Sequence, residues 1–484
     1  MPKAMTKAAI VGLACLATVT AGTIAPTATA APATVTTKVA PANKNSVTDF
    51  GYNATVFGTK VLLGGIEIRT LKDALINRPC TRRVGLESTE DSIISTNLLP
   101  DALRSIVDFS LSRSTTQTYR EGAAYGVRGV NSLANLSLGG ELLGQPTPRL
   151  VLKGLVSKAD AFYNGQAARG KGSFGFRNSF GYEGLELQLT EDDPVSETLQ
   201  TLFDILGVDP VEAVNEAVAV PLNALLQVIG SVPLVIPGLG EVALGQARGK
   251  KTANSADSEA YALKITLEEI PSLGIPATTL QLGRALAQVS RPVQFGVFRS
   301  KMSALEADLG GLLKLGGVGQ RALPCHGTSK KVVTSRVGSA GIPEVLSISG
   351  VEYKYQGVQK GKAANGFVQT TIGKIKLLQA NVVVEGLVAR VGLKSAKPNQ
   401  RVQSIPSVTI GRLLINGEEI KGLGFGKAID FSDNTGQRGS LIMGYLDPAV
   451  DPFFGKHLSG LRIKLPGTNT GIDLGIANGE VFFR

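Results

Sequence analysis

The chain reads as a mainly β protein of two tandem homologous Gly-rich domains, sandwich or barrel-like, the first carrying a two-helix insertion. Three observations predict this. Several segments alternate apolar and polar residues with period two, the pattern of a half-buried strand. Glycine is frequent, at 58 residues of 484, and Trp is absent, a balance that suits many short strands joined by Gly turns. The same order of landmarks is written twice, from Pro79-Cys80 and again from Pro324-Cys325.

The first thirty residues carry Lys3 and Lys7, an apolar run from Ala8 to Ala25, and Ala28-Thr29-Ala30 ahead of Ala31-Pro32. Small residues at −3 and −1 fit a signal peptidase, so 1–30 is expected to be a secretory signal peptide cut after Ala30. The alternatives are an uncleaved anchor, and lipidation at Cys15, for which Gly12 stands where an apolar residue is preferred. Residues 31–46 are rich in Ala, Pro, Thr, Val and Lys, bury little and read as a disordered tether. A first β domain is expected over 47–300, a connector over 301–324 and a second β domain over 325–484.

In the first copy Val107, Phe109 and Leu111 alternate with Asp108, Ser110 and Ser112; in the second Val351, Tyr353 and Tyr355 alternate with Glu352 and Lys354. Gly154-Leu155-Val156 matches Gly386-Leu387-Val388. After them Leu155, Ala159 and Ala161, or Leu387, Ala389, Val391 and Leu393, share one parity, with Lys158 and Asp160, or Arg390 and Lys394, on the water-facing one. The clearest pair is Leu263 to Leu267 against Leu461 to Leu465, followed by Leu282-Gly283 and Leu474-Gly475. The separation falls from 245 at the cysteines to 232 at Gly154 and 192 at Leu282, so the first copy holds an insertion.

That insertion is expected to be helical over about 193–230. Asp193-Pro194 is a helix start, followed by Leu199, Leu202, Phe203 and Leu206. Asp209-Pro210 repeats the device, followed by Val211, Val214, Val218, Leu222, Leu225, Leu226 and Ile229, with Pro221 placed to kink the helix. Packing on the β scaffold is the expectation, because the polar face, with Glu197, Asp204, Glu212 and Glu216, is acidic and unsuited to lipid. In the connector, Ser303-Ala304-Leu305-Glu306 is a capping-box pattern, and Leu305, Leu309, Leu312 and Leu313 follow, so a third helix is admitted there.

The order Ile236-Pro237-Gly238-Leu239-Gly240-Glu241-Val242, then Leu263 to Leu267, then Leu282-Gly283 resembles the actinobacterial extracellular proteins called the choice-of-anchor P family. The resemblance implies a β-rich secreted or wall-associated protein with no catalytic residues to transfer. Leu465-Pro466-Gly467-Thr468-Asn469 departs from a sortase motif, because Asn469 replaces its Gly, so covalent wall attachment is not expected.

The formal charge is +11, which becomes +9 when Lys3 and Lys7 leave with the signal. For an exported chain this points to a cell-wall polymer or an anionic envelope surface and not to nucleic acid. The basic residues are scattered, so a charge that serves only solubility is the plain alternative. Cys80 and Cys325 are the disulfide candidate; the bridge would close a loop worth about 4 to 5 kcal/mol in the chain-entropy treatment. Two buried free thiols are the other reading.

No catalytic, cofactor-binding or metal residues are predicted. His326 and His457 are too few for a zinc site, and neither lies in a nucleophile-elbow context. Gly245 to Thr252 lacks phosphate-loop spacing and reads as a basic surface loop, and Gly422 to Gly426 lacks dinucleotide spacing. Glu191-Asp192-Asp193 reads as helix-dipole complement, and Asp430, Asp433 and Asn434 miss a calcium-loop pattern. A transmembrane barrel would need apolar outward faces where several strands carry charge, and the mature chain offers no transmembrane helix. The expected role is a non-enzymatic structural or interaction protein held non-covalently at the bacterial cell envelope. The alternatives are an exported hydrolase acting on wall polymer or lipid, and a carrier of an apolar ligand.

Overall fold

A computed structural model describes residues 46–63, 66–68, 74–93, 107–109, 111–142, 145–165, 172–181, 183–188, 197–206, 217–220, 233–236, 240–267, 277–309, 313–315, 319–342, 345–360, 363–395, 404–451, 455–465 and 471–483. The expected signal peptide, nearly all of the tether, the helix start at Asp193-Pro194, the Glu191 to Asp193 carboxylates and Pro466 to Asn469 lie outside these residues. The protein is mainly β, in antiparallel sheets that, among the described residues, do not close into a barrel.

One long sheet has two wings. The first sets Gly240–Lys251, Ser255–Leu267, Thr278–Ser290 and Val47–Leu63 side by side; the second sets Arg438–Asp451, Gly455–Lys464, Gly471–Phe482 and Val297–Leu309 in the same order. Short strands, Ile66–Ile68 and Leu313–Leu315, join the wings through the pair Ile68 and Leu315. A sheet centred on Leu111–Glu121, Ala124–Leu142 and Gln145–Asn164 packs on the first wing. Another, centred on Leu346–Lys360, Ala363–Leu377 and Val382–Lys394, packs on the second. Even the split edges correspond: Gln145–Asn164 pairs with both Ser173–Gly181 and Gly184–Gln188, and Val382–Lys394 with both Ser404–Thr409 and Arg412–Ile415.

The repeated glycine landmarks mark a fault line that crosses the sheets. Along Thr278–Ser290 the buried parity changes from Leu280 and Leu282 to Ala285, Ala287 and Val289 at Gly283; along Val382–Lys394 it changes from Val382 and Val384 to Leu387, Ala389 and Val391 at Gly386. One residue outside the ladder reverses every later side chain, and glycine carries the left-handed conformation this needs, φ 59° at Gly283 and 68° at Gly386. Equivalent positions share the device: Gly154 (φ 63°) answers Gly386, and Gly475 (φ 62°) answers Gly283. At this level a buried hydroxyl from the facing sheet meets the kinked strand: Ser157 Oγ donates to the Gly283 carbonyl, and Thr370 Oγ1 donates to that of Ile476 at 2.6 Å. A buried carbonyl left without a partner would cost about 1 to 3 kcal/mol.

Helix is scarce among the described residues. Glu197–Leu206, in the first stretch expected to be helical, is a helix and buries Phe203 in the main core with Leu187 and Val242. No described helix is long and apolar enough to cross a membrane. The second expected helix fails where it is described: Ala217–Val220 is a strand paired with Gly184–Gln188, as its alternating β-branched Val218 and Val220 favour. The connector helix fails too. Val297–Leu309 is a strand along Gly471–Phe482, and it crosses the expected boundary at 300.

Two side-chain expectations are also reversed. In Leu111–Glu121 it is Ser112, Ser114, Thr116 and Thr118 that are buried, while Leu111 is half exposed. Asn131 Nδ2 donates to the Ser112 and Ser114 hydroxyls, and Arg78 reaches across from the facing sheet to Thr116 and Ser88, so this interior layer is a hydrogen-bonded one. Asp160, on the parity expected to meet water, is buried under Tyr119 and Arg128.

Candidate functional site

Cys80, on the strand Ile76–Arg83, and Cys325 lie with their Sγ atoms 2.04 Å apart, a disulfide distance, and their Cα atoms 5.5 Å apart. The two halves meet here. Val293, Val297 and Phe482 pack around the sulfurs, and Gly51 leaves room, since a Cβ there would stand 2.7 Å from Cys325 Cβ. Arg299 braces the junction: its Nε donates to the Cys80 carbonyl at 2.7 Å, its guanidinium lies 3.4 Å over the Phe482 ring centre, and Nη1 is 3.4 Å from Glu480. Burial lowers the Arg299 pKa to about 10, with Glu480 working against the shift, so the group stays charged at neutral pH. Arg82 joins the same junction: it donates to the Thr48 carbonyl at 2.8 Å and to the Gln294 carbonyl at 3.3 Å, and it pairs with Asp49 at 3.2 Å.

The histidines do not assemble a catalytic relay along their rows. His326 is largely buried beside Cys325, its Nδ1 has no hydrogen-bond partner in the structure, and burial pushes its pKa down. His457 sits on Gly455–Lys464 in a polar row with Ser459, Asp473, Asn478, Lys301 and Glu306. Asn478 Nδ2 lies 2.9 Å from His457 Nδ1, and the Ser459 hydroxyl donates to Asp473 at 2.8 Å. A nucleophilic serine instead hands its proton to a histidine that a carboxylate orients. Burial lowers the His457 pKa against the pull of Glu306 and Asp473, and burial raises that of Asp473 against Arg462.

The remaining motifs are turns and strands. Gly245 to Lys251 belongs to the strand Gly240–Lys251 and is not a loop; a Cβ at Gly245 would meet the Tyr261 and Ala262 carbonyls. Arg248 pairs there with Glu259 at 2.7 Å. Asp433 Oδ1 closes its own turn, accepting from the Thr435 and Gln437 amides and from the Thr435 hydroxyl, and these hydrogen bonds hold its pKa down. Gly422 and Gly426 take left-handed turns, and the strand Ala428–Ser432 follows. Among the described residues no group of three or more His, Cys, Asp or Glu is placed to hold a metal.

One recess stands apart from these motifs, and sequence reasoning missed it. It has a volume of about 210 Å³ and lies at the hairpin joining Leu111–Glu121 to Ala124–Leu142, with Tyr119, Glu121, Arg128, Phe162, Asn164 and Arg177 in its wall. Buried Asp160 accepts from the Tyr119 hydroxyl at 2.7 Å and from Arg128 at 3.3 Å, and Arg128 lies 5.0 Å over the Tyr119 ring. Burial disfavours the Arg128 charge, yet Asp160 and Tyr119 outweigh it and hold the pKa above the ordinary value; burial and Asp160 push Tyr119 far up. The available signal was the cross-strand pairing of Arg128 with Asp160, hidden because Asp160 looked like a surface residue.

No family model matches the chain, and no curated protein matches it.

Proposed function

We propose that the chain is a secreted, non-enzymatic structural or interaction protein of the cell envelope, held there by charge or by a partner and not by a covalent link. The observation that carries this reading is the Cys80 and Cys325 pair at disulfide distance, joining matching places in two similarly ordered halves. A bridge of this kind persists in an oxidising compartment, which agrees with the leader-like first thirty residues. In this reading the halves are tandem homologous β-sandwich domains, and the helical segment from Glu197 is an insertion of the first. The buried charges support a scaffold role: Arg299, Arg82 and Arg78 are tied to backbone carbonyls, hydroxyls or single carboxylates inside the layers.

The experiment is fractionation of producing cells. Release of the protein by about 1 M salt, where screening acts within ~3 Å, supports charge-held attachment. Retention through salt with release by detergent overturns it in favour of lipid insertion.

A further inference from the structure

The chain has few aromatic residues, yet at one end of the N-terminal half Tyr119, Phe162 and Tyr125 each have an arginine laid against the ring. Arg177 lies 5.1 Å over Phe162, and Arg120 lies 5.2 Å over Tyr125. Glycines clear these rings: a Cβ at Gly126 would stand 2.4 Å from the Tyr119 ring, and one at Gly175 would stand 2.7 Å from Phe162. The recess opens at Tyr119 and Phe162, whereas Tyr125 shares the opposite face of the sheet with Tyr163.

Its volume is below the ~300 to 1,000 Å³ of a typical ligand pocket and suits one small polar unit rather than an apolar chain. Arg128 is immobilised by Asp160 and Tyr119, so its remaining N–H groups are fixed in direction before any ligand arrives. Arg177 is exposed, a second guanidinium in the same wall. Glu121 opposes them, 4.0 Å from Arg128 and exposed. Guanidinium N–H pairs match the oxygens of a carboxylate or a phosphate, and an aromatic ring beside them offers an apolar face to the group that carries the anion.

We infer that this recess binds one acidic sugar unit of an anionic glycan, the carboxylate or phosphate on Arg128 and Arg177 and the sugar ring against Phe162. This rests on the envelope reading and gives it a surface. The binding strength follows charge, so Arg177→Gln weakens it and Glu121→Gln, which removes the opposing carboxylate, tightens it.

The test is calorimetric titration of the full chain at low salt with an oligogalacturonate, a glycerol phosphate oligomer and a neutral glucose oligomer of equal length. The oligogalacturonate is expected to bind, the neutral oligomer not to bind, and the glycerol phosphate, which has no sugar ring, to bind at least fivefold more weakly. Arg177→Gln is expected to lose tenfold or more in affinity, Glu121→Gln to gain two- to fivefold, and the charge-matched control Lys421→Gln, at an exposed lysine outside the recess, to stay within twofold. Equal binding of the neutral oligomer, equal or tighter binding of glycerol phosphate, or an unchanged Arg177→Gln variant would overturn the assignment. Because the titration uses purified protein, its failure together with salt-releasable attachment in cells would sink the recess and leave the envelope reading standing.

Discussion

Replacing both Cys80 and Cys325 with serine removes the tie between the halves. The bridge spans a sequence separation of 245 residues, and the chain-entropy treatment gives such a loop roughly 5 kcal/mol at 25 °C. Packing changes little in the double variant, because Val293, Val297 and Phe482 still close around the smaller side chains and Arg299 still reaches the residue 80 carbonyl. For a folded part of roughly 440 residues, an unfolding entropy of about 2 cal/mol/K per residue converts 5 kcal/mol into a fall in Tm of about 5 to 6 °C. Scanning calorimetry of the double variant, beside the unaltered protein with and without reductant, checks this. The reduced protein and the variant should melt together, below the oxidised protein. A difference under about 1 °C between oxidised protein and variant would refute the reasoning, since it would mean that the tie does not constrain the unfolded chain.

Thr370→Val removes the hydroxyl that meets the Ile476 carbonyl and should destabilise by about 1 to 3 kcal/mol, read as a shift of the urea midpoint; Thr370→Ser should retain most of the stability. Gly475→Ala places a Cβ 3.0 Å from Leu387 at φ 62° and should cost about 1 to 3 kcal/mol, while Gly436→Ala, in an open turn at φ 81°, meets no neighbour and should cost less in the same assay. Phe203→Ala empties a fully buried site and should cost about 3 to 5 kcal/mol if the helix packs on the core; a near-neutral change would mean that the helix is a free surface element. His326 is held below its ordinary pKa of 6.5 by burial, so the unfolded chain takes up its proton first. Its contribution is therefore complete above pH 6.5 and is lost as pH falls below that value, at up to about 1.4 kcal/mol per pH unit. His326→Gln should flatten that part of the stability profile, and an unchanged profile would exclude His326 as its source.

The strands were legible where one face is aliphatic, as at Leu263 to Leu267 and Leu461 to Lys464. Gly154, Gly283, Gly386 and Gly475 were legible as landmarks but not as a fault line, because their meaning lies in the parity change that each imposes on a strand and in the hydroxyls of the facing sheet. Leu305 and Leu309 are four apart, a spacing that places them on one side of a helix or of a strand alike, so the connector was misread. Ser112 was misassigned because its inward partner, Asn131, comes from another strand. The recess escaped notice for the same reason: Arg128, Asp160 and Arg177 lie on three different strands and meet only once these pair.

The most direct measurement is non-reducing peptide mapping by mass spectrometry of protein recovered from producing cells. A peptide joining Cys80 to Cys325, together with an N-terminus at Ala31, is the predicted result. Free thiols at both positions in freshly isolated protein would contradict the claim that an oxidised tie fastens two exported β halves.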